Sequence, residues 1–303
     1  MIQDRTDSDW AFAAYQSVRP ALPQTRFGNL AAHEDDLGAL EDRFDVFLLD
    51  AFGVLNIGET AIAGAQERVA ALQAAGKRVM VVTNAAGYPK RLLMQRYARL
   101  GFTFAPEDVV SSRDTLLAAL TKKQPRHWGV MASTRFGAEE LEELNLSFLE
   151  KDPRVYDEVE GFLFFGSSDW GEEKQDLLEA SLRRAPRPLL VGNPDLVAPR
   201  ETGLSREPGH YAHRLAEIPG VTPVFFGKPF ANVYELAFAR LPQDIRRSRV
   251  LMVGDTLHTD ILGGRVAGVK TALVTQYGSL RGVEVAKAIS QSGIVPDFIL
   301  PRP

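Results

Sequence analysis

Carboxylates set at the ends of apolar runs are the part of this chain best suited to chemistry. Met252-Val253-Gly254-Asp255-Thr256-Leu257-His258-Thr259-Asp260 carries two of them. The apolar run Val250 to Val253 stops at Gly-Asp, and a second acid follows five positions later, where a helix would begin. In an open α/β sheet this layout puts both carboxylates at the carboxyl edge, where such sheets bind ligands. Two acids there suit a hard cation such as Mg²⁺, which takes a few carboxylates and keeps several waters. Val46-Phe47-Leu48-Leu49-Asp50-Ala51-Phe52-Gly53 has the same form: an apolar run, an Asp, then a Gly turn. Asp50 and Asp255, far apart in sequence, could thus meet at one metal.

Two further run ends complete the set: Thr83-Asn84 after Lys77–Val82, and Lys228 in Gly227-Lys228-Pro229. Their chemistries are complementary. A carboxylate can attack phosphorus and form an acyl phosphate. A Thr hydroxyl and backbone amides can hold phosphate oxygens. A Lys and a divalent cation can neutralise the group in transit, which is most of what phosphoryl transfer requires. Singly, each has a plainer reading as a helix cap or a rim ion pair. The ordered set is more specific than its parts.

The elements that must hold these residues follow from periodicity. Continuous apolar runs alternate with amphipathic stretches from Asp45 onward, which predicts a mostly parallel sheet covered by helices on both faces, a doubly wound α/β core. Ala65–Ala75 reads as a helix stopped by Gly76, and Pro89 to Leu100 as one closed by Gly101. Between about 113 and 222 the α/β style repeats with shorter elements. Strands are predicted at Trp128–Ala132, Gly161–Phe165 and Leu189–Val191, and helices at 137–144 and 171–184. After Thr222 the core pattern resumes, with helices at 231–240, 259–267 and 283–291 and strands at 248–254, 270–275 and 296–300. Trp10, Phe12, Tyr15 and Val18 form one face of a helix that Pro20 and Pro23 end. The expected domains are an amino-terminal helical extension (1–42), a core (43–112 and 223–303) and an inserted α/β cap (113–222).

Bulk properties exclude several classes. The chain has 303 residues, 45% hydrophobic and 24% charged, as expected of one large or two ordinary globular domains. A net charge of −4 gives no electrostatic footprint for nucleic acid. There are no cysteines, so thiolate chemistry, disulfides and Cys-based zinc sites are out. No apolar run approaches the roughly 20 residues of a membrane helix. Met1-Ile2-Gln3-Asp4-Arg5 is polar, without the apolar core of a signal peptide. The expectation is a cytoplasmic protein that binds neither nucleic acid nor membrane.

The motifs Asp50-Ala51-Phe52-Gly53-Val54, Val82-Thr83-Asn84-Ala85-Ala86, Gly227-Lys228-Pro229 and Gly254-Asp255-Thr256-Leu257-His258-Thr259-Asp260-Ile261-Leu262-Gly263-Gly264 resemble the four motifs of the haloacid dehalogenase (HAD) superfamily. Within it they are most similar to the NagD-like, or p-nitrophenyl phosphatase, branch, as does Gly192-Asn193-Pro194-Asp195. The resemblance covers about residues 43–281. It implies Mg²⁺-dependent hydrolysis of a small phosphorylated metabolite. Asp50 would be nucleophile and metal ligand, and Lys228 its partner. Thr83 and Asn84 would bind phosphate. Asp255 and Asp260 would complete the metal site with the backbone carbonyl of Phe52. Asn193 and Asp195 would reach the cleft from the cap, or simply form an Asn-Pro-Asp turn. Related caps form dimer contacts, so a homodimer is compatible with the resemblance. Spacing agrees on the cap: 33 positions separate Asp50 from Thr83, too few for a lid, whereas 145 separate Thr83 from Lys228, far above the ~30 of a βαβ step.

One position departs from the family pattern. Its phosphatases read Asp-x-Asp, the second Asp serving as acid and base, and here that position is Phe52. General acid–base catalysis of about 10²–10⁴-fold would be lost, most of all for alkyl phosphates. Three readings stay open. The first is a phosphatase with a substitute group, such as His258 or Asn56, or with a taste for good leaving groups. The second is a phosphate-ligand-binding or regulatory protein with little turnover. The third is a dehalogenase-like enzyme, which the intact Gly-Asp-x-x-x-x-Asp opposes. Lesser signals have bland readings: His210 and His213 as a solvated pair, and Trp128, Trp170, Phe162, Phe164 and Phe165 mostly as cap core.

Overall fold

The computed structural model describes residues 7–120 and 126–303. The polar stretch Met1–Arg5 and residues 121–125 of the expected cap lie outside the described residues. Two parallel sheets organise the rest. The larger has seven strands in the order Ala32–His33, Phe298–Leu300, Lys270–Val274, Val250–Gly254, Val46–Leu49, Arg78–Thr83 and Val109–Ser111. Every pairing is parallel. Val46–Leu49 and Val250–Gly254 are buried along their whole length, because helices cover both faces and leave no polar side.

The chain winds outward from Val46–Leu49 to one side and, after the insertion, from Val250–Gly254 to the other. These two strands are neighbours, with Leu49 opposite Val253. The switch point therefore falls between them, and Asp50 and Asp255 leave it side by side. Thr83 ends the strand that flanks Val46–Leu49 on the other side. Two apolar layers lock the arrangement, one built on Phe47, Leu49, Val81 and Val253, the other on Val46, Leu48, Val82 and Met252.

The smaller sheet runs Pro223–Phe225, Leu189–Val191, Gly161–Phe164, Trp128–Met131 and Leu146–Phe148, again all parallel. Helices Glu172–Arg184 and Pro208–Leu215 bury Leu178, Leu182, Ala212 and Leu215 with Phe162 and Phe164. Leu163, Phe165 and Trp128 pack on the opposite side with Leu116 and Leu120 of helix Ser112–Leu120.

Three expectations need correction. Pro223–Phe225 pairs with Leu189–Val191, so it belongs to the smaller sheet, although the sequence reading opened the core's second part at 223. Residues 137–144 form turns rather than a helix. Their acids are spent on the core instead: Glu140 accepts from Lys90 N and pairs with Arg113, and Glu139 pairs with Arg91. The segment 259–267 is not one regular helix; a wide turn at Leu257–Ile261 precedes a short helix at Leu262–Val266. The amino-terminal segment is more integrated than an extension. Helix Ser8–Val18 is capped by Asp7, which accepts from Trp10 N at 2.9 Å, and Ala32–His33 adds an edge strand to the core sheet.

The Asn-Pro-Asp turn is wedged in place. Gly209, in the first turn of Pro208–Leu215, lies so close that a Cβ there would stand 2.1 Å from the Pro194 carbonyl oxygen. Gly209→Ala should therefore push the turn outward and cost about 1–3 kcal/mol in a denaturant or thermal melt. Gly28→Ala, with open space around it, should stay within about 0.5 kcal/mol. Equal effects would show that the turn has slack.

Candidate active site

The switch point gathers four of the expected residues into one charged cluster. Lys228 Nζ lies 2.6 Å from Asp50 Oδ1 and 2.7 Å from Asp260 Oδ1. Carboxylate oxygens of Asp50, Asp255 and Asp260 all lie within 4.8 Å of one another. Lys228 is 1% exposed and Asp260 fully buried, whereas Asp50 keeps 13% of its side chain exposed. Neither contact gives the ammonium good hydrogen-bond geometry, so Nζ is held by charge more than by directed bonds.

Each acid is oriented by its own loop. Asp50 Oδ1 accepts from Ala51 N at 2.7 Å, while Oδ2 makes no hydrogen bond among the described residues. Asp255 accepts from Ser279 N at 2.6 Å and from Thr256 Oγ1 at 3.1 Å. Asp260 Oδ2 accepts from Thr256 N at 3.1 Å. Such close packing needs bare backbone. A Cβ on Gly53, at φ +80°, would lie 2.6 Å from Asp255 Cβ, and one on Gly254 would lie 2.0 Å from Asp260 Cγ.

Burial and mutual repulsion act together on these acids. Burial is the larger cause lifting Asp50 to about 7; the charge on Asp260 adds, and Lys228 opposes. Asp255 is lifted to about 8 by burial, then by Asp260 and Asp50. Burial alone would drag the Lys228 ammonium down, but Asp260 and Asp50 outweigh it and hold the group above its usual value. With all three ionised, the carboxylates would exceed the one ammonium by two negative charges, and burial and repulsion instead push protons onto Asp50 and Asp255. A divalent oxygen-seeking cation fits that deficit, and the free Asp50 Oδ2 and the Asp255 carboxylate are the donors best placed to hold one. Asp260, engaged by Lys228 and Thr256 N, is better placed to orient than to bind directly.

Asn84 ties the cluster to the cap, in a role more structural than the sequence suggested. Its Oδ1 accepts from Lys228 N at 2.7 Å and from Ser112 Oγ at 2.9 Å. Its Nδ2 donates to Lys228 O at 2.9 Å and to Asp195 Oδ1 at 2.8 Å. The whole amide is used. Thr83 Oγ1 accepts from Ala85 N at 3.2 Å and keeps its own proton to donate. Asn193 holds the turn itself, accepting from Asp195 N and donating to Glu207. Ser112, Thr256 and Ser279 were not foreseen. Small hydroxyl residues one or two positions past a strand are too common to single out, and Ser279 becomes a partner only once the Gly278 turn, at φ +89°, folds back on Asp255.

A cavity of about 640 Å³ opens between core and cap, walled by Phe52, Tyr88, Phe165, Trp170, Asp195 and Arg200, among others. Neither proposed acid–base substitute reaches it. His258 stacks on Tyr15 with ring centres 5.2 Å apart and sets Nε2 2.8 Å from Gln16 Oε1. Burial, with Arg19 adding, lowers it to about 3, so it stays neutral. Asn56 donates to Gly58 O within its own tight loop. His210 and His213 are not a solvated pair either: His213 stacks on Phe225 at 4.8 Å, and His210 packs on Tyr211. Two guanidinium groups lie over the Phe52 ring, Arg96 of the core at 4.8 Å and Arg200 of the cap at 4.9 Å from its centre.

Comparison with known proteins agrees with this geometry. A haloacid dehalogenase-like hydrolase model matches residues 47–147, and a HAD-hydrolase-like model matches 225–301. The chain is 30% identical to the glycerol-3-phosphate phosphatase of Gallus gallus over 288 residues, covering 84% of this chain and 88% of that one. Among solved structures, a protein of Cytophaga hutchinsonii described as a possible sugar phosphatase of the HAD superfamily superposes with a TM-score of 0.79 at 26% identity, covering 90% and 98%. A glycerol phosphate phosphatase of Mycobacterium tuberculosis in complex with magnesium superposes with a TM-score of 0.66 at 25% identity, covering 86% and 75%.

The charge deficit makes a measurable demand. A divalent cation should raise the thermal midpoint, by the equivalent of about 2.7 kcal/mol at a hundred times its Kd. In Asp255→Asn most of that gain should vanish. A wild-type melt indifferent to Mg²⁺, Mn²⁺ and Ca²⁺ would mean that the three carboxyls share protons instead.

Proposed function

The chain belongs to the haloacid dehalogenase-like hydrolases, and we propose that it is a Mg²⁺-dependent phosphatase that hydrolyses a small phosphomonoester through an aspartyl phosphate on Asp50. The observation that carries the reading is the Lys228 ammonium, held between Asp50, which keeps one oxygen without a hydrogen bond, and Asp260, in a cluster with Asp255 whose carboxylates could hold a cation. The magnesium-bound relative and the phosphatase relatives support it.

Asp50 Oδ2 attacks phosphorus; the bond from phosphorus to the leaving oxygen breaks, and that oxygen departs with the electron pair. Lys228 opposes the burial that raises Asp50 and so favours the ionised form that attacks. Its charge also lies where the transferring oxygens gather. The Thr83 hydroxyl and the backbone amides beyond it donate to those oxygens. Mg²⁺, held by Asp50, Asp255 and the Phe52 carbonyl with Asp260 behind them, would screen the negative charge of the phosphoryl group. Water then attacks the acyl phosphate and returns Asp50 and inorganic phosphate. The cavity between core and cap would take the organic part of the ester, against Tyr88, Phe165 and Trp170.

Without a carboxyl at 52, leaving groups that need no proton are favoured, aryl and acyl phosphates over alkyl. Asp50→Asn should cut p-nitrophenyl phosphate turnover at least about a thousandfold with an unchanged melt. Near-normal rates would remove Asp50 as nucleophile. Restoring the acid should do little by itself. An Asp at 52 would stand between Arg96, whose Nη1 is buried and unpartnered, and Arg200. Such neighbours hold a carboxyl ionised, which makes it a poor acid. Phe52→Asp should gain less than about tenfold on an alkyl phosphate, against the 10²–10⁴ a working acid supplies. Phe52→Asp combined with Arg200→Ala should gain more. A hundredfold gain in the single variant would contradict the guanidinium account.

A further inference from the structure

Helix Ser8–Val18 touches both walls of the cleft. On the core side, Phe12 and Val18 pack with Leu257, Ile261 and Leu262, the turn that carries Asp260. Gln16 Nε2 donates to Gln291 O at 2.9 Å, and Ser8 Oγ to Arg281 O at 3.0 Å. On the cap side, Ala11 and Tyr15 pack with Leu196 and Val197. The Trp10 ring lies 5.6 Å from that of His210, with the Arg206 guanidinium 5.2 Å over it.

Tyr15 belongs to both sets. It is 4% exposed. Its ring stacks on His258, two positions before Asp260, and its hydroxyl accepts from the backbone N–H of Leu196 at 3.1 Å. Leu196 follows Asp195, which bonds to Asn84, and Asn84 holds both backbone groups of Lys228. A short chain of direct contacts thus runs from the helix to the catalytic ammonium. Burial, with the nearby Asp195 charge adding, keeps the phenol protonated, so its oxygen stays a neutral acceptor.

We propose that Tyr15 is a positioning residue: its hydroxyl fixes the chain at Leu196 and its ring fixes the turn at His258, so that helix Ser8–Val18 straps the cap's return segment, residues 193–207, against the core. The strap itself stands on geometry. Its effect on turnover rests on the phosphatase reading above. Without the hydroxyl, the Leu196 N–H is buried without a partner, a penalty borne by the return segment and not by the core sheet.

Tyr15→Phe tests this, because it keeps the ring and removes one oxygen. Hydrogen–deuterium exchange on the full chain should show peptides within 193–207 exchanging at least about tenfold faster, while peptides across Val46–Leu49 keep their wild-type rate. On p-nitrophenyl phosphate, kcat should fall about tenfold with KM within about twofold, since binding survives and alignment suffers. Unchanged exchange in 193–207 would overturn the strap, and so would a uniform increase that included Val46–Leu49. Local loosening with unchanged kcat would overturn the positioning role. Should Tyr15→Phe fail to fold, Trp10→Ala removes one cap-side contact and leaves the core-side packing of Phe12 and Val18, and the same peptides decide. A wild-type protein that hydrolyses no phosphomonoester would end the phosphatase reading, leaving the strap to stand or fall on exchange.

Discussion

The arrangement depends on keeping one ammonium charged where water cannot reach it. Removing a lysine from solvent costs several kcal/mol unless opposite charges meet it at close range. Lys228 is met by two, and its backbone is fixed as firmly as its side chain. Asn84 clasps both the N–H and the carbonyl of Lys228, like one rung of a strand pairing. Gly227, at φ +129°, has no room for a side chain, because a Cβ would stand 2.2 Å from Ser112 Oγ. Three segments remote in sequence, at 84, 112 and 227, are thus specified by one polar knot. Loss of any member would leave a buried donor or charge unpaired, which costs more than the knot itself contributes.

The knot also sets the sign of the cleft. Packing Asp50, Asp255 and Asp260 together is unfavourable in itself, and the backbone supports it only by removing side chains at Gly53, Gly254 and Gly278. The residual negative charge makes the site a receptor for cations before it is a receptor for anions. On the phosphatase reading, a phosphate ester, itself negative, would be drawn in only after that charge is met, with the cation preceding the anion.

Much of this was legible in the sequence, for identifiable reasons. Continuous apolar runs could only be strands of a covered parallel sheet. Acids directly after them could only lie at its carboxyl edge, so Asp50, Asp255, Asp260 and Lys228 were found by position alone. Less legible were residues whose roles arise from contacts across domains. Asn84 read as a phosphate ligand because the family resemblance implies it, but its side-chain bonds are all spent within the protein. His258 read as a spare acid or base because of its neighbours in sequence, whereas its ring turns toward Tyr15, more than two hundred positions away. Residues 137–144 have helical composition, yet they form turns whose acids pair with Arg91 and Arg113. The amino-terminal helix was visible by its apolar face, but what that face would meet was not.

Phe52 is where these constraints meet. Read alone, it is a catalytic acid gone missing. In place, it is a joint: its ring takes up two guanidinium groups, one from the core and one from the cap. Arg200 is held for this contact by Glu207, which also bonds to Asn193. The cap is therefore tied down at Phe52, at the Asn84–Asp195 bond and along helix Ser8–Val18, in addition to the Glu139 and Glu140 contacts with Arg91 and Lys90. A carboxyl at 52 in the same place would pair with those guanidiniums and could not cycle a proton between leaving group and water. An apolar ring, which stacks on them without carrying charge, is the residue type compatible with a cap held down at this point. On the guanidinium account, the pair of arginines that anchors the cap would also disfavour an acid at 52.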